Sequence, residues 1–257
     1  MMRDDYKVEC GVHGTSPATF ICHHLSHHRE NQGFHMGYDP EDPDVLYPDA
    51  WCDQCNEVLE QEGEWNDTSE AFAKIKVVCA NCYCSIRAKN WLQDEEALSH
   101  LIGDSFDYLQ AMQDTFMKAY NIGDCERWDW DQEMGTLIFS HEGKPTVECD
   151  VHFVGTLSTL SKTWMWAWAN QSLSDKVKEQ SRLVRRIGDE RQFLPLACPK
   201  WSADETDGWE MTAIMAKAVG AIGAYRTPDE NGFVYMVVSK ARWVSQEAEQ
   251  INLEIPL

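Results

Sequence analysis

A chain of 257 residues has room for one large domain or two modest ones, and 43% apolar residues with 11 tryptophans can fill a core. Its 43 acidic side chains outnumber 22 basic ones, a net charge of −21 distributed along the whole length. Such a field repels phosphate backbones and anionic bilayers, so neither nucleic acid nor membrane is an expected partner, and a protein partner, if basic, suits it best.

The opening segment MMRDDYKVEC has no apolar h-region, and no run of 18 apolar residues occurs anywhere. Ten cysteines without a secretory leader are expected to stay reduced, with metal binding preferred over disulfides and the cytoplasm as the compartment. Residues 1–92 hold seven of the ten cysteines and six of the nine histidines. That shift in composition sets an expected boundary between a Cys/His-rich module, 1–92, and a Trp-rich domain, 93–257.

The first ligand group is Cys10-Gly-Val-His13-Gly, a knuckle whose Gly14 permits the turn. Cys22-His23-His24 follows after eight residues. One ion held by Cys10, His13, Cys22 and either His23 or His24 is chemically sensible. His24 is preferred, because it shares a face with Cys22 if Thr19 to Leu25 is extended. His27, His28 and His35 are possible substitutes. The segment Tyr38 to Pro48, rich in Pro and Asp, reads as an irregular loop.

Cys52-Asp-Gln-Cys55 and Cys79-Ala-Asn-Cys82 are two further knuckles with 23 residues between them. Two thiolates separated by two residues reach one tetrahedral ion from a tight turn, and paired knuckles at about this spacing form a zinc-ribbon pattern. One structural zinc at these four cysteines is therefore expected, and the Cys10 group allows a second. A cross-braced pairing, first with third and second with fourth, stays open. So does redox chemistry, although a dithiol catalyst needs only one Cys-x-x-Cys at a helix start. Four closed thiolates suit a structural ion better than a catalytic one, and Cys84 reads as a packing thiol.

In the second part, Phe106, Leu109, Met112, Phe116 and Tyr120 recur at helical spacing and predict a helix over 105–120. Thr136 to Ser140, a His-Glu-Gly-Lys-Pro turn and Val147 to Leu157 predict a hairpin. Val147, Cys149, Val151 and Phe153 take one face, with Glu148, Asp150 and His152 on a solvated one. Thr163 to Asn170, TWMWAWAN, predicts an interior strand whose three tryptophans share a face, either as core or as the lining of a pocket. A basic helix over 175–191 places Val177, Val184 and Ile187 inward, and Arg182, Arg185 and Arg186 in a compact cationic face. An apolar helix over 209–219, ended at Gly220 or Gly223, and a strand over 233–244 complete an α+β layout, an antiparallel sheet covered by helices.

Gly155-Thr-Leu-Ser158, the TWMWAWAN segment, Gly208-Trp-Glu-Met-Thr-Ala213 and Gly223-Ala-Tyr-Arg226 together resemble a bacterial family of uncharacterised domains. Cys10-Gly-Val-His-Gly, Ala18-Thr-Phe-Ile-Cys-His-His-Leu25 and Ala50-Trp-Cys-Asp-Gln-Cys55 resemble a small cysteine-rich module of uncharacterised bacterial proteins. Neither resemblance implies an activity, substrate or catalytic residue. The sequence has no H-E-x-x-H, G-x-S-x-G, G-x-x-x-x-G-K-[ST] or G-x-G-x-x-G. Two readings are carried forward: a non-enzymatic interaction or adaptor protein with structural zinc, and an enzyme or small-ligand binder whose site lies in the Trp-lined domain. A deep cleft joining His152, Arg226 and Asn170 would favour the second.

Overall fold

The computed structural model describes residues 6–26, 30–38, 42, 45–131 and 134–244. The chain divides into two compact units, Met1–Asp94 and Glu95–Leu257.

In the first unit, β1 (Lys7–Cys10) and β2 (Gly14–Ile21) form a hairpin that closes on the pair Cys10↔Gly14. Gly14 sits at φ +67, the left-handed conformation that its missing Cβ makes accessible. Strand β2 also pairs with β4 (Asp49–Trp51), in parallel at Ile21↔Ala50, and with β5 (Lys76–Cys79), antiparallel from Ala18↔Cys79 to Ile21↔Lys76. The short β3 (His35–Gly37) completes the sheet beside β4. Helix α1 (Asp53–Glu62) follows β4, α2 (Asp67–Ala73) precedes β5, and α3 (Ala80–Asn90) follows it. Asn66 starts α2 with a capping box to Ser69, satisfying amides that the first turn leaves unpaired.

The second unit is α+β, a curled antiparallel sheet packed with helices. It opens with α4 (Glu95–Ala119), ten residues longer at its start than the periodicity predicts. The expected hairpin forms as β7 (Thr136–His141) and β8 (Lys144–Ser158), and β6 (Arg127–Asp131) adds outside β7. Next come β9 (Thr163–Trp166), α5 (Asp175–Arg191), the single turn α6 (Leu194–Ala197) and β10 (Lys200–Ser202). Helix α7 (Glu205–Val219) and the hairpin β11 (Gly223–Asp229) and β12 (Gly232–Trp243) follow. The strand order is β10-β9-β8-β12-β11.

Strand β8 organises this sheet. Strand β12 occupies one edge of it over Val147–Ser158. The other edge carries β7 up to Asp150 and β9 from Gly155 onward. Between them the edge forks, and the Val151 N–H reaches back to the Gly135 carbonyl at 3.0 Å. Opposite the fork, β8 bulges by one residue at Val154, between the pairs Gly155↔Tyr235 and Phe153↔Met236. The alternation read from Val147 onward therefore holds only as far as Phe153.

Both faces of the sheet are covered. On one, Leu137, Phe139, Val147, Cys149, Met236 and Val238 pack against Phe116 of α4. On the other, Tyr235 meets the rings of Trp164 and Trp209, centroids 5.4 and 5.3 Å away. The TWMWAWAN segment is strand only to Trp166, and Ala167–Ala169 turn as a 3₁₀ helix. Trp164, Trp166 and Trp168 are all buried, with Trp164 and Trp166 in edge-to-face contact at 5.4 Å. They fill the core rather than line a pocket. Burying one such ring removes about 150–250 Å² from water, worth up to ~4–6 kcal/mol against an extended chain.

The compact cationic face of α5 does not form. Arg185 turns inward, buried, with its guanidinium 4.9 Å from the Trp168 ring and 3.7 Å from Asp189. Arg182 bonds Asp175 at 3.1 Å. The inward positions are Ser181, Val184, Arg185 and Gly188, whereas Val177, expected inside, is exposed.

Candidate metal centres

Two clusters in the first unit bring together metal-binding side chains: Cys10, His13, Cys79 and Cys82 in one, and Cys22, His24, Cys52 and Cys55 in the other. Within each, one ligand atom per residue lies within 4.8 Å of all the rest. The eight residues are those singled out from the sequence, but the partition differs. Cys52 and Cys55 do not share a cluster with Cys79 and Cys82, and Cys10 and His13 do not share one with Cys22 and His24. Neither is the pairing first with third and second with fourth. It is nested, first with fourth and second with third.

Strand pairing dictates that partition. Because β2 runs antiparallel to β5 with Ala18 opposite Cys79, the β1–β2 turn lies beside the end of β5. Because Ile21 lies beside Ala50, the residues just past β2 meet those just past β4, and the Cys22 N–H donates to the Ala50 carbonyl at 3.0 Å.

The two clusters share one design. Each takes a strand that leads into a cysteine at a helix N-cap, Cys52 just past β4 and before α1, Cys79 at the end of β5 and before α3, in extended backbone at φ −86 and −80. The second cysteine, Cys55 or Cys82, follows three residues on in the first helical turn. At the N-cap the helix-start amides can support a thiolate, and the Cys82 N–H donates to the Cys79 Sγ at 3.4 Å. A separate turn adds a cysteine and a histidine. His24 takes its place from a turn over Cys22–Ser26, not from the extended segment expected. His23 instead has its Nδ1 3.0 Å from the Ala73 carbonyl, and His35 has its Nε2 2.8 Å from Asp53. His27 and His28, along with most of the loop between Tyr38 and Val45, lie outside the described residues.

Spacing within the first cluster matches a tetrahedral shell. With metal–sulfur bonds near 2.3 Å and metal–nitrogen bonds near 2.0–2.1 Å, neighbouring ligands sit about 3.8 Å apart for S···S and about 3.5 Å for S···N. The His13 Nδ1 lies 3.6, 3.5 and 3.5 Å from the sulfurs of Cys10, Cys79 and Cys82, and Cys10 Sγ is 3.9 Å from Cys82 Sγ. That sulfur separation is far beyond the ~2.05 Å of a disulfide. In the second cluster His24 Nδ1 is 3.2 Å from Cys55 Sγ. The second cluster is the more enclosed, with all three cysteines buried, whereas His13 is exposed and Cys10 and Cys82 are half-buried.

Crowding also shapes the thiol charges. The backbone N–H groups of Val12 and His13, and then Cys79, bring Cys10 down to about 6. Burial, together with Cys79 and Cys10, pushes Cys82 up to about 12. In the other cluster, hydrogen bonds from Cys22 and Cys55 hold Cys52 well below the ordinary thiol range, while Cys22 and Cys55 are pushed above it. Without a cation, each cluster favours one thiolate and opposes the next. A divalent cation between the sulfurs removes that opposition.

In the second unit His152, Arg226 and Asn170, whose meeting in a cleft would favour an enzyme or ligand site, lie in different surroundings. His152 borders a cleft at the fork of the sheet. Arg226 is engaged elsewhere, bonded to Glu205 at 2.7 Å and the Tyr235 hydroxyl at 3.2 Å and stacked 4.0 Å from the Phe233 ring. Asn170 accepts from Ser172 within its own turn. His141 is tied to the Asp124 carbonyl at 2.6 Å. Among the described residues, no helix is long and apolar enough to cross a membrane.

No curated protein and no solved structure matches this chain. A family of unknown function matches residues 99–241, more than half of the chain and all within the second unit, so both metal clusters fall outside the match. The chain belongs to that family, DUF6882.

Proposed function

We propose that the first unit binds two structural zinc ions, one per cluster, and that the protein is a cytoplasmic, non-enzymatic interaction or adaptor protein whose zinc module presents a rigid surface to a protein partner. The observation that carries the zinc reading is the ligand spacing of the first cluster, three S···N separations of 3.5–3.6 Å around one imidazole nitrogen. A shell of three thiolates and one imidazole is closed, leaving no position for substrate or an activated water, which suits structure rather than catalysis. It is also soft, and selects zinc over magnesium or calcium.

The partner surface we favour is apolar. Phe20 and Val77 face each other across β2 and β5, both partly exposed, and Ile75, two residues before Val77, is 45% exposed. A contiguous exposed apolar patch is the kind of surface that contact sites use, and Phe20 and Val77 are neighbours on one small sheet. The net charge of −21 suits a partner carrying positive charge, gathered by long-range attraction. Elemental analysis of untagged protein should give two zinc ions per chain. Affinity capture from host lysate by wild type and by Val77→Asp tests the rest. A partner retained by wild type and lost by the variant, with zinc content unchanged, supports the adaptor reading, and equal capture by both refutes this surface.

A further inference from the structure

The fork in the second unit's sheet leaves a cleft of about 600 Å³, within the range of small-molecule sites. Its floor is the stretch of β8 where β7 has ended and β9 has not begun, and its wall is the first two turns of α5. One side is aromatic, with the rings of Trp130 and Phe153 nearly parallel at 12° and 6.4 Å between centroids. Val177 and Leu173 add aliphatic surface opposite.

The polar groups on this cleft are mostly donors, and they are unspent. The Trp130 indole N–H is buried with no acceptor among the described residues. Neither the Lys176 ammonium nor the Gln180 amide forms an ion pair or hydrogen bond among those residues, and the same holds for the His152 ring. Burial lowers the His152 pKa, an effect partly offset by Asp150, so near neutral pH the ring is uncharged and offers one N–H and one lone pair. Asp150 itself is committed to Arg242 at 2.7 Å. Among the described residues of the rim, Glu179, exposed on α5, is the one uncommitted carboxylate.

We infer that this cleft is a binding site for a small aromatic carboxylate, its ring lying against Trp130 and Phe153 and its oxygens accepting from Lys176 and Gln180. Stacking selects a flat body, and the surplus of donors with one free ammonium selects an anionic acceptor. The site is separate from the metal clusters and does not depend on the adaptor reading.

The probe is 2-naphthoate, titrated into the ¹⁵N-labelled full chain while the Trp130 indole resonance, assigned by its loss in Trp130→Phe, is followed. A saturable shift of that resonance is expected. It should need about tenfold more ligand in Lys176→Met, and about tenfold more when 2-naphthamide replaces the acid. Val177→Trp, at an exposed position, should fill the cleft and abolish the shift without unfolding the chain. No saturable shift, equal affinity for the amide, or undiminished binding by Val177→Trp would overturn the assignment.

Discussion

Gly155→Ala offers a close test of how the tryptophan strand is seated. Gly155 pairs with Trp166 across β8 and β9. A Cβ there would stand 2.6 Å from the Trp164 Cζ2, 2.6 Å from the Met165 carbonyl oxygen and 3.0 Å from Trp164 Cε2. Ordinary contact begins near 3.4 Å, so relief needs a movement of roughly 0.8 Å. Neither neighbour can yield easily, since one is backbone and the other is a fully buried ring held edge-on by Trp166 and Tyr235. Overpacking of this kind costs about 1–3 kcal/mol. Replacing a strand glycine returns roughly 0.5–1 kcal/mol of chain entropy. The net is a loss of roughly 0–2.5 kcal/mol, about 1.3 kcal/mol at the midpoint, which is about 3–5 °C in Tm for a unit of this size. Near-UV circular dichroism of the zinc-replete chain, dominated by tryptophan, would follow the melt. Gly103 in α4 supplies the contrast, with nothing within 4 Å of its would-be Cβ, so Gly103→Ala should stabilise by about 0.4–1 kcal/mol. If Gly155→Ala melts at or above wild type, the close seating of Trp164 against β8 is refuted.

Other expectations follow from the same contacts. Arg185→Glu should destabilise by about 3–5 kcal/mol, because it buries a carboxylate near Asp189, while Arg186→Glu, at an exposed position, should stay within about 0.5 kcal/mol in urea unfolding. Burial holds the His152 pKa below its unfolded value, so below the ordinary imidazole range the unfolded chain binds more protons and stability falls as pH falls. His152→Gln should flatten the stability profile between about pH 7 and 5 by a fraction of ~1.4 kcal/mol per pH unit, and coincident profiles would refute that. Burial pushes Cys149 up to about 12, so in the native protein it should resist iodoacetamide at pH 8 and label only on unfolding, as peptide mass spectrometry would show.

The elements legible in the sequence were those with a local cause. The hairpin of β7 and β8 announced itself by alternation around a Gly-Lys-Pro turn, and α7 by its apolar run ending at Gly220, which caps it at φ +69. Arg127–Asp131 also carries a local signal, alternating tryptophan with charge over five residues. Strand β11 was hidden by Pro228 and its polar end, and β10 by its three-residue length. The bulge at Val154 and the fork in β8 are products of pairing with β12 and β9, and a one-strand pattern contains neither. The residues of the two candidate clusters were legible one by one, because thiolate and imidazole chemistry is written in residue type and spacing. Their partition was not, since chain order says nothing of which strand lies beside β2.

That partition is what metal stoichiometry can test most directly. Zinc per chain should be measured on untagged wild type, on Cys22→Ser/Cys55→Ser and on Cys55→Ser/Cys82→Ser, each purified without chelator. The nested arrangement gives two ions for wild type, one for the first pair, whose changes fall in a single cluster, and none for the second, whose changes disable both. A ribbon built from Cys52, Cys55, Cys79 and Cys82 would reverse the two variants, leaving none in the first and one in the second. That reversal, or wild-type protein without metal, would contradict the two-site centre described above.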